Sequence, residues 1–119
     1  MQYLSRGLSR HPEFKLYDFP SDITTNYQYV LGEVDPRISR DDLVAFLHSK
    51  GVLARKYFTP GVNHVPPFGV DDGVADPTLP VSEHLARTVL VLPSGPSLSD
   101  DDVRAISALI RTFVEAQRA

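Results

Sequence analysis

NYQYVLGEVDPRISRDDLVAFLHSKGVLARKYF, residues Asn26–Phe58, decides the architecture. In its first part Tyr27, Tyr29 and Leu31 alternate with Gln28, Val30 and Gly32. Aromatic and β-branched residues at period 2 predict a strand over Asn26–Val34, and Asp35-Pro36 ends it. The period then changes. Ser39 is an N-cap, with Asp42 three residues later in a capping-box arrangement. Leu43, Phe46 and Leu47 follow at i, i+3 and i+4 as the buried stripe of a helix. Lys50 suits the negative end of that helix, and Gly51 supplies a left-handed C′ position. Val52–Phe58 reads as the next strand. A strand, a helix and a strand joined tightly predict an α/β layer with α+β character.

Outward toward the C-terminus, Thr59–Leu79 has another texture. Pro60, Gly61, Pro66, Pro67, Gly69, Gly73 and Pro77 exclude a regular helix or a central strand there. Loops of that length in small domains are usually functional or disordered. Pro80–Arg87 reads as a short helix and Thr88–Leu92 as an apolar strand covered on both faces. Ser94-Gly95-Pro96 is a turn. The last helix has Leu98 as staple to Val103, Ser99 as N-cap and Asp102 completing the box. Val103, Ile106, Leu109, Ile110, Phe113 and Val114 make its inner stripe, with Arg104, Arg111 and Arg118 outside. Toward the N-terminus, Glu13–Tyr17 is a short strand. Met1–Arg10 reads as one short helix, left over from a preceding domain, so that the domain proper spans 11–119.

The chain has 119 residues, 42% of them hydrophobic and 23% charged, which is one globular domain. Twelve Lys and Arg against fifteen Asp and Glu leave a net charge of −3, which argues against a nucleic-acid partner. With no cysteine there is no disulfide framework, thiolate zinc site or cysteine nucleophile, and a cytoplasmic setting fits. No stretch approaches the roughly 18–20 apolar residues of a membrane span, so no membrane partner is expected. There is no internal repeat.

The chemistry-bearing residues are few. His48 and His84 read as structural or surface histidines, and no histidine pair has metal-ligand spacing. The Asp100–Asp102 run reads as a helix start. No Walker A, G-x-G-x-x-G or G-x-S-x-G motif occurs. The loop and its flanks remain: Arg55, Lys56, Tyr57, Phe58, Asn63, His64 and Phe68. Cations, aromatic rings and amides on a proline-stiffened backbone suit a phosphorylated or sugar-like ligand. A surface loop packing its aromatics on the core is the plainer reading. A small independent enzyme using His64 with Asp71 or Asp72 lacks any motif that fixes an orienting partner.

Taken in order, Asn26–Val30, Ile38–Leu43, Leu53–Gly61, Leu79–Ala86, Val89–Pro93 and Leu98–Val103 resemble the DegT/DnrJ/StrS family of nucleotide-sugar aminotransferases over nearly the whole chain. The resemblance implies a fold-type I, homodimeric enzyme dependent on pyridoxal phosphate (PLP). Such enzymes move an amino group, usually from glutamate, onto a keto sugar carried on a nucleoside diphosphate. What the chain resembles is their C-terminal small domain, a small mixed or antiparallel sheet with helices covering one face. The PLP-binding large domain is expected before Met1 or on a second subunit. Transamination needs a lysine in a Ser/His-rich motif, and Lys15, Lys50 and Lys56 lie in none. The chain alone is therefore expected neither to transaminate nor to hold PLP, with no catalytic, cofactor or metal residues of its own. By the resemblance, Tyr57, Phe58, Asn63 and His64 bind the substrate. Relatives commonly read Pro-Gly-Cys-His where this chain has Pro60-Gly61-Val62-Asn63-His64, which places Asn63 in the histidine position. In an extended segment that shift would send His64 to the opposite side. The alternative reading is a non-catalytic accessory or binding protein that kept the small-domain fold.

Overall fold

The computed structural model describes residues 12–17, 22, 30–57, 59–95 and 97–117. The helix expected over Met1–Arg10, residues 26–29 of the first long strand, Phe58 and Arg118 lie outside them. Three strands, β1 (Phe14–Leu16), β2 (Val30–Val34) and β3 (Val89–Leu92), form an antiparallel sheet in the order β1-β2-β3. Helix α1 (Arg40–Ser49) follows β2, α2 (Pro80–Thr88) leads into β3, and α3 (Asp100–Ala116) closes the described chain. The expected α/β fold with an antiparallel sheet is what forms.

The register sorts side chains by face. Phe14 lies opposite Val34, Leu16 opposite Gly32, and Val30 opposite Leu92, so these residues share one face with Leu90. That face is closed by α1 and α3, which pack on each other. Leu43 and Leu47 of α1 and Val103, Ile110 and Val114 of α3 have no exposed surface. Burial of each such side chain contributes roughly 1.5–3 kcal/mol. The Phe46 and Phe113 rings meet at 5.4 Å along the seam. Gly32 is set by this packing: a Cβ there would lie 2.3 Å from Phe14 Cζ, so the ring crosses the strand where no side chain stands.

The helix ends follow the sequence closely. The Ser39 hydroxyl accepts from Asp42 N at 3.2 Å, and Gly51 has φ 81° after α1. At α3 the box is complete: Asp102 N donates to Ser99 Oγ, and Ser99 N to Asp102 Oδ2, both at 3.0 Å.

Over 52–57, the described part of the strand expected over 52–58, no strand forms. Among the described residues of this segment, one antiparallel bridge, Arg55 with Val91, joins it to β3. Before it, Val52 N still bonds Leu47 O, as the chain leaves α1. After it, Thr59 N turns back onto Lys56 O ahead of Pro60. Between these two turns Arg55 is the residue paired with β3, and Leu53 is 66% exposed.

Candidate functional site

The second face of the sheet carries Lys15, Leu31, Glu33, Val89 and Val91, the residues that alternate with the core. Neither α1 nor α3 covers it. Helix α2 lies over part of it, and the loop between Thr59 and Leu79 stands across from α2. Between them is a cleft of about 520 Å³. Leu31, Val89 and Val91 are its floor; Ser82, Leu85 and Ala86 of α2 are one wall; Gly61, Val62 and Asn63 are the other. Tyr17 and Tyr57 stand at its margins. An apolar floor with few polar groups at the rim is the usual build of a small-molecule site.

Two anchors hold the start of the loop. Thr59 Oγ1 donates to Ala86 O at 2.6 Å, satisfying a carbonyl near the end of α2. Arg40, 4% exposed, donates from Nη1 to Val89 O at 2.8 Å and from Nη2 to Thr59 Oγ1 at 3.4 Å. Its Nε meets Asp41 at 2.9 Å.

The loop itself closes on one carboxylate. Glu83 Oε1, in the first turn of α2, accepts from Asn63 Nδ2 at 3.0 Å, His64 Nε2 at 2.5 Å and Asp76 N at 3.1 Å. The Asp76 amide, with His64 and Asn63, holds the Glu83 carboxyl down at about 2. His64 Nδ1 lies 3.1 Å from Val70 O. A carbonyl only accepts, and so does an ionised carboxylate, so this arrangement favours the protonated ring, which donates from both nitrogens. The bonds to Glu83 and then Val70 raise the His64 pKa accordingly.

A second polar network borders the cleft. Glu33 accepts from the Tyr17 hydroxyl and from His84 Nε2, both at 2.9 Å, with Thr88 Oγ1 at 3.5 Å. Burial pushes the Glu33 carboxyl up, but its bonds to Tyr17 and His84 outweigh that and bring it below its usual value. Burial and Glu33 both raise the Tyr17 phenol.

Of the residues singled out in the sequence, Tyr57 and Asn63 line the cleft, and Phe58 lies outside the described residues. The Arg55 guanidinium stands 5.8 Å from the Tyr57 ring centre. Phe68, 73% exposed, lies away from the cleft. His64 turns into the loop and meets Glu83 rather than Asp71 or Asp72. Asn63 is in the cleft lining and His64 is not, but the local geometry differs from the extended segment expected. Residues Val62–His64 form a turn of 3₁₀-helix instead of an extended segment, and Asn63 and His64 reach the same oxygen. Glu83, Tyr17 and Glu33 escaped sequence reasoning because their partners are distant in the chain. A carboxylate in the first turn of a helix is otherwise explained by the helix dipole.

PLP chemistry asks for an amine to take the aldehyde and donors for the phosphate. The cleft lining among the described residues includes neither lysine nor arginine. Lys15 sits over the Tyr17 ring at 5.2 Å, Lys50 over Phe46 at 5.8 Å, and Lys56 lies 3.7 Å from Asp41. This lining does not fit PLP. Among the described residues no acidic or histidine cluster is arranged to hold a metal ion, and no helix is long and apolar enough to cross a membrane.

The chain belongs to the DegT/DnrJ/EryC1/StrS aminotransferase family, whose model matches residues 1–111. It is 32% identical over 97 residues to dTDP-4-amino-4,6-dideoxy-D-glucose transaminase of Escherichia coli, covering 77% of this chain and 26% of that enzyme. The crystal structure of DesI, determined in the presence of its TDP-sugar product, matches 98% of this chain with TM-score 0.81 and 30% identity, over 30% of its own length. The aminotransferase TlmJ from Streptoalloteichus hindustanus matches 99% with TM-score 0.77 and 25% identity, over 31% of its length. The chain thus spans between a quarter and a third of the length of these relatives.

Proposed function

We propose that residues 11–119 are the C-terminal small domain of a PLP-dependent aminotransferase that acts in the cytoplasm on nucleotide-linked keto sugars. In this reading the domain walls the substrate site and carries no catalytic residue of its own. The amine-bearing lysine and PLP reside on a large domain, in the same polypeptide or a second subunit of a homodimer. The observation that carries the reading is the cleft: an apolar floor with Tyr57 and Asn63 at its rim, in a chain of a sugar-aminotransferase family. Tyrosine rings offer stacking and hydroxyl contacts to a base or sugar, and the Asn63 amide offers hydrogen bonds.

The test is binding of dTDP-glucose to the full chain, followed by calorimetry. Tyr57→Ala and Asn63→Ala are each expected to weaken it about tenfold, the scale of one well-made contact. Equal affinity in wild type and both variants contradicts the assignment of these residues. Mixing the chain with PLP is expected to give no stoichiometric imine absorbance. A stable imine on Lys56 overturns the claim that the reactive amine lies elsewhere.

A further inference from the structure

One oxygen atom holds three separate points of the loop between Gly61 and Asp76. Asn63 and His64 are held near its start by their side chains, and Asp76 near its end by its backbone amide. Two further contacts spread that hold. His64 passes it on to Val70 O through Nδ1. Asn63 passes it on by close approach: a Cβ on Gly69 would lie 1.9 Å from Asn63 O, so the segment after Asn63 is folded onto it. Ordering a proline- and glycine-rich loop costs conformational entropy at every residue. Its apolar side chains repay little of it by burial, since Val62, Phe68, Val70 and Val74 are 62–73% exposed. Polar contacts therefore carry much of the order, and three that span the loop converge on Glu83. Charge-assisted bonds of this kind are about twice as strong as neutral ones.

We propose that Glu83 is the positioning residue of the cleft: its Oε1 clasps the loop to α2 and so sets Gly61, Val62 and Asn63 as the cleft wall. The role rests on the cleft being the nucleotide-sugar site. Glu83 itself is absent from the cleft lining and acts through Asn63 and His64. The charged groups that bear on His64 are Glu83 from α2 and Asp72 from the loop, and Asp76 bears on Glu83. All are acidic, which favours the protonated form of His64.

The experiment compares the full wild-type chain with Glu83→Gln and Glu83→Ala by amide exchange and NMR, first without ligand. Glu83→Gln keeps the shape and an acceptor but removes the charge. It is expected to speed exchange of the Asp76 amide about tenfold or more. The His64 titration should move down toward an ordinary histidine, and core amides of β3 and α3 should stay unchanged. Glu83→Ala should do the same more strongly. If that variant fails to fold, Glu83→Gln still decides. Unchanged Asp76 exchange and an unchanged His64 titration in Glu83→Gln overturn the clasp. The second arm titrates dTDP-glucose. Weaker binding in Glu83→Gln, with the core intact, supports the positioning role, and equal binding overturns it. If wild type does not bind, the reading of the cleft as a sugar-nucleotide site fails, while the exchange arm still decides the clasp.

Discussion

Ser107 lies on the inner side of α3 with no exposed surface, and its hydroxyl has no hydrogen-bond partner among the described residues. Such a group costs roughly 1–3 kcal/mol of desolvation, and serine is also a poorer helix former than alanine. Ser107→Ala is therefore expected to raise stability by about 1 kcal/mol in urea unfolding, and a loss of stability contradicts this account. At the same scale, the clasp carries a pH signature. The Glu83 carboxyl is held at about 2 against an ordinary 4.5, so its contribution is complete above 4.5 and is lost as pH falls toward 2. His64 is raised from 6.5, so its contribution is complete below 6.5 and is lost as pH rises through the folded value above it. The stability difference between wild type and Glu83→Gln should be greatest between about pH 4.5 and 6.5 and fall off on both sides. Denaturation across pH checks this, and a difference that is flat with pH contradicts it. Asn63 and His64 were legible in the sequence as polar groups on an unusual loop. Glu83 was not, because nothing local marks a helix glutamate as the partner of a loop that precedes it.

The elements show where local rules suffice. Caps at Ser39 and Ser99, the left-handed Gly51 and the stripe of α3 depend on neighbours within a turn or two, and all were readable. The segment 52–58 was not. Its alternation fits a strand, but strand length depends on how far a partner runs alongside, and the turns at Val52 and Thr59 cut it to the Arg55 bridge. Likewise the 3₁₀ turn at Val62–His64 replaces the extended geometry on which the expectation for His64 was built. Gly32 gives the prediction for this scale. Gly32→Ala places a methyl against the Phe14 ring and should cost about 1–3 kcal/mol. Combining it with Phe14→Leu should recover part of that cost, since the two sites touch. Strictly additive losses in thermal or urea unfolding contradict the packing described.

For the whole molecule, the decisive feature is the inequality of the two sheet faces. Two amphipathic helices close one face, and a short helix and a clasped loop leave a cleft on the other. The ordered series of short motifs pointed to the family and its sheet-and-helix fold. The cleft was not legible, because it depends on which face α2 chooses and on how the loop folds back. The central claim is that this open face receives a nucleotide-linked sugar for chemistry performed elsewhere. Chemical-shift mapping of the full chain with dTDP-glucose tests it most directly. The account predicts perturbations at Leu31, Tyr57, Val62, Asn63 and Leu85, with the core residues Leu43, Leu90 and Ile110 unmoved. Perturbations confined to the opposite face, or none at millimolar sugar nucleotide, contradict it.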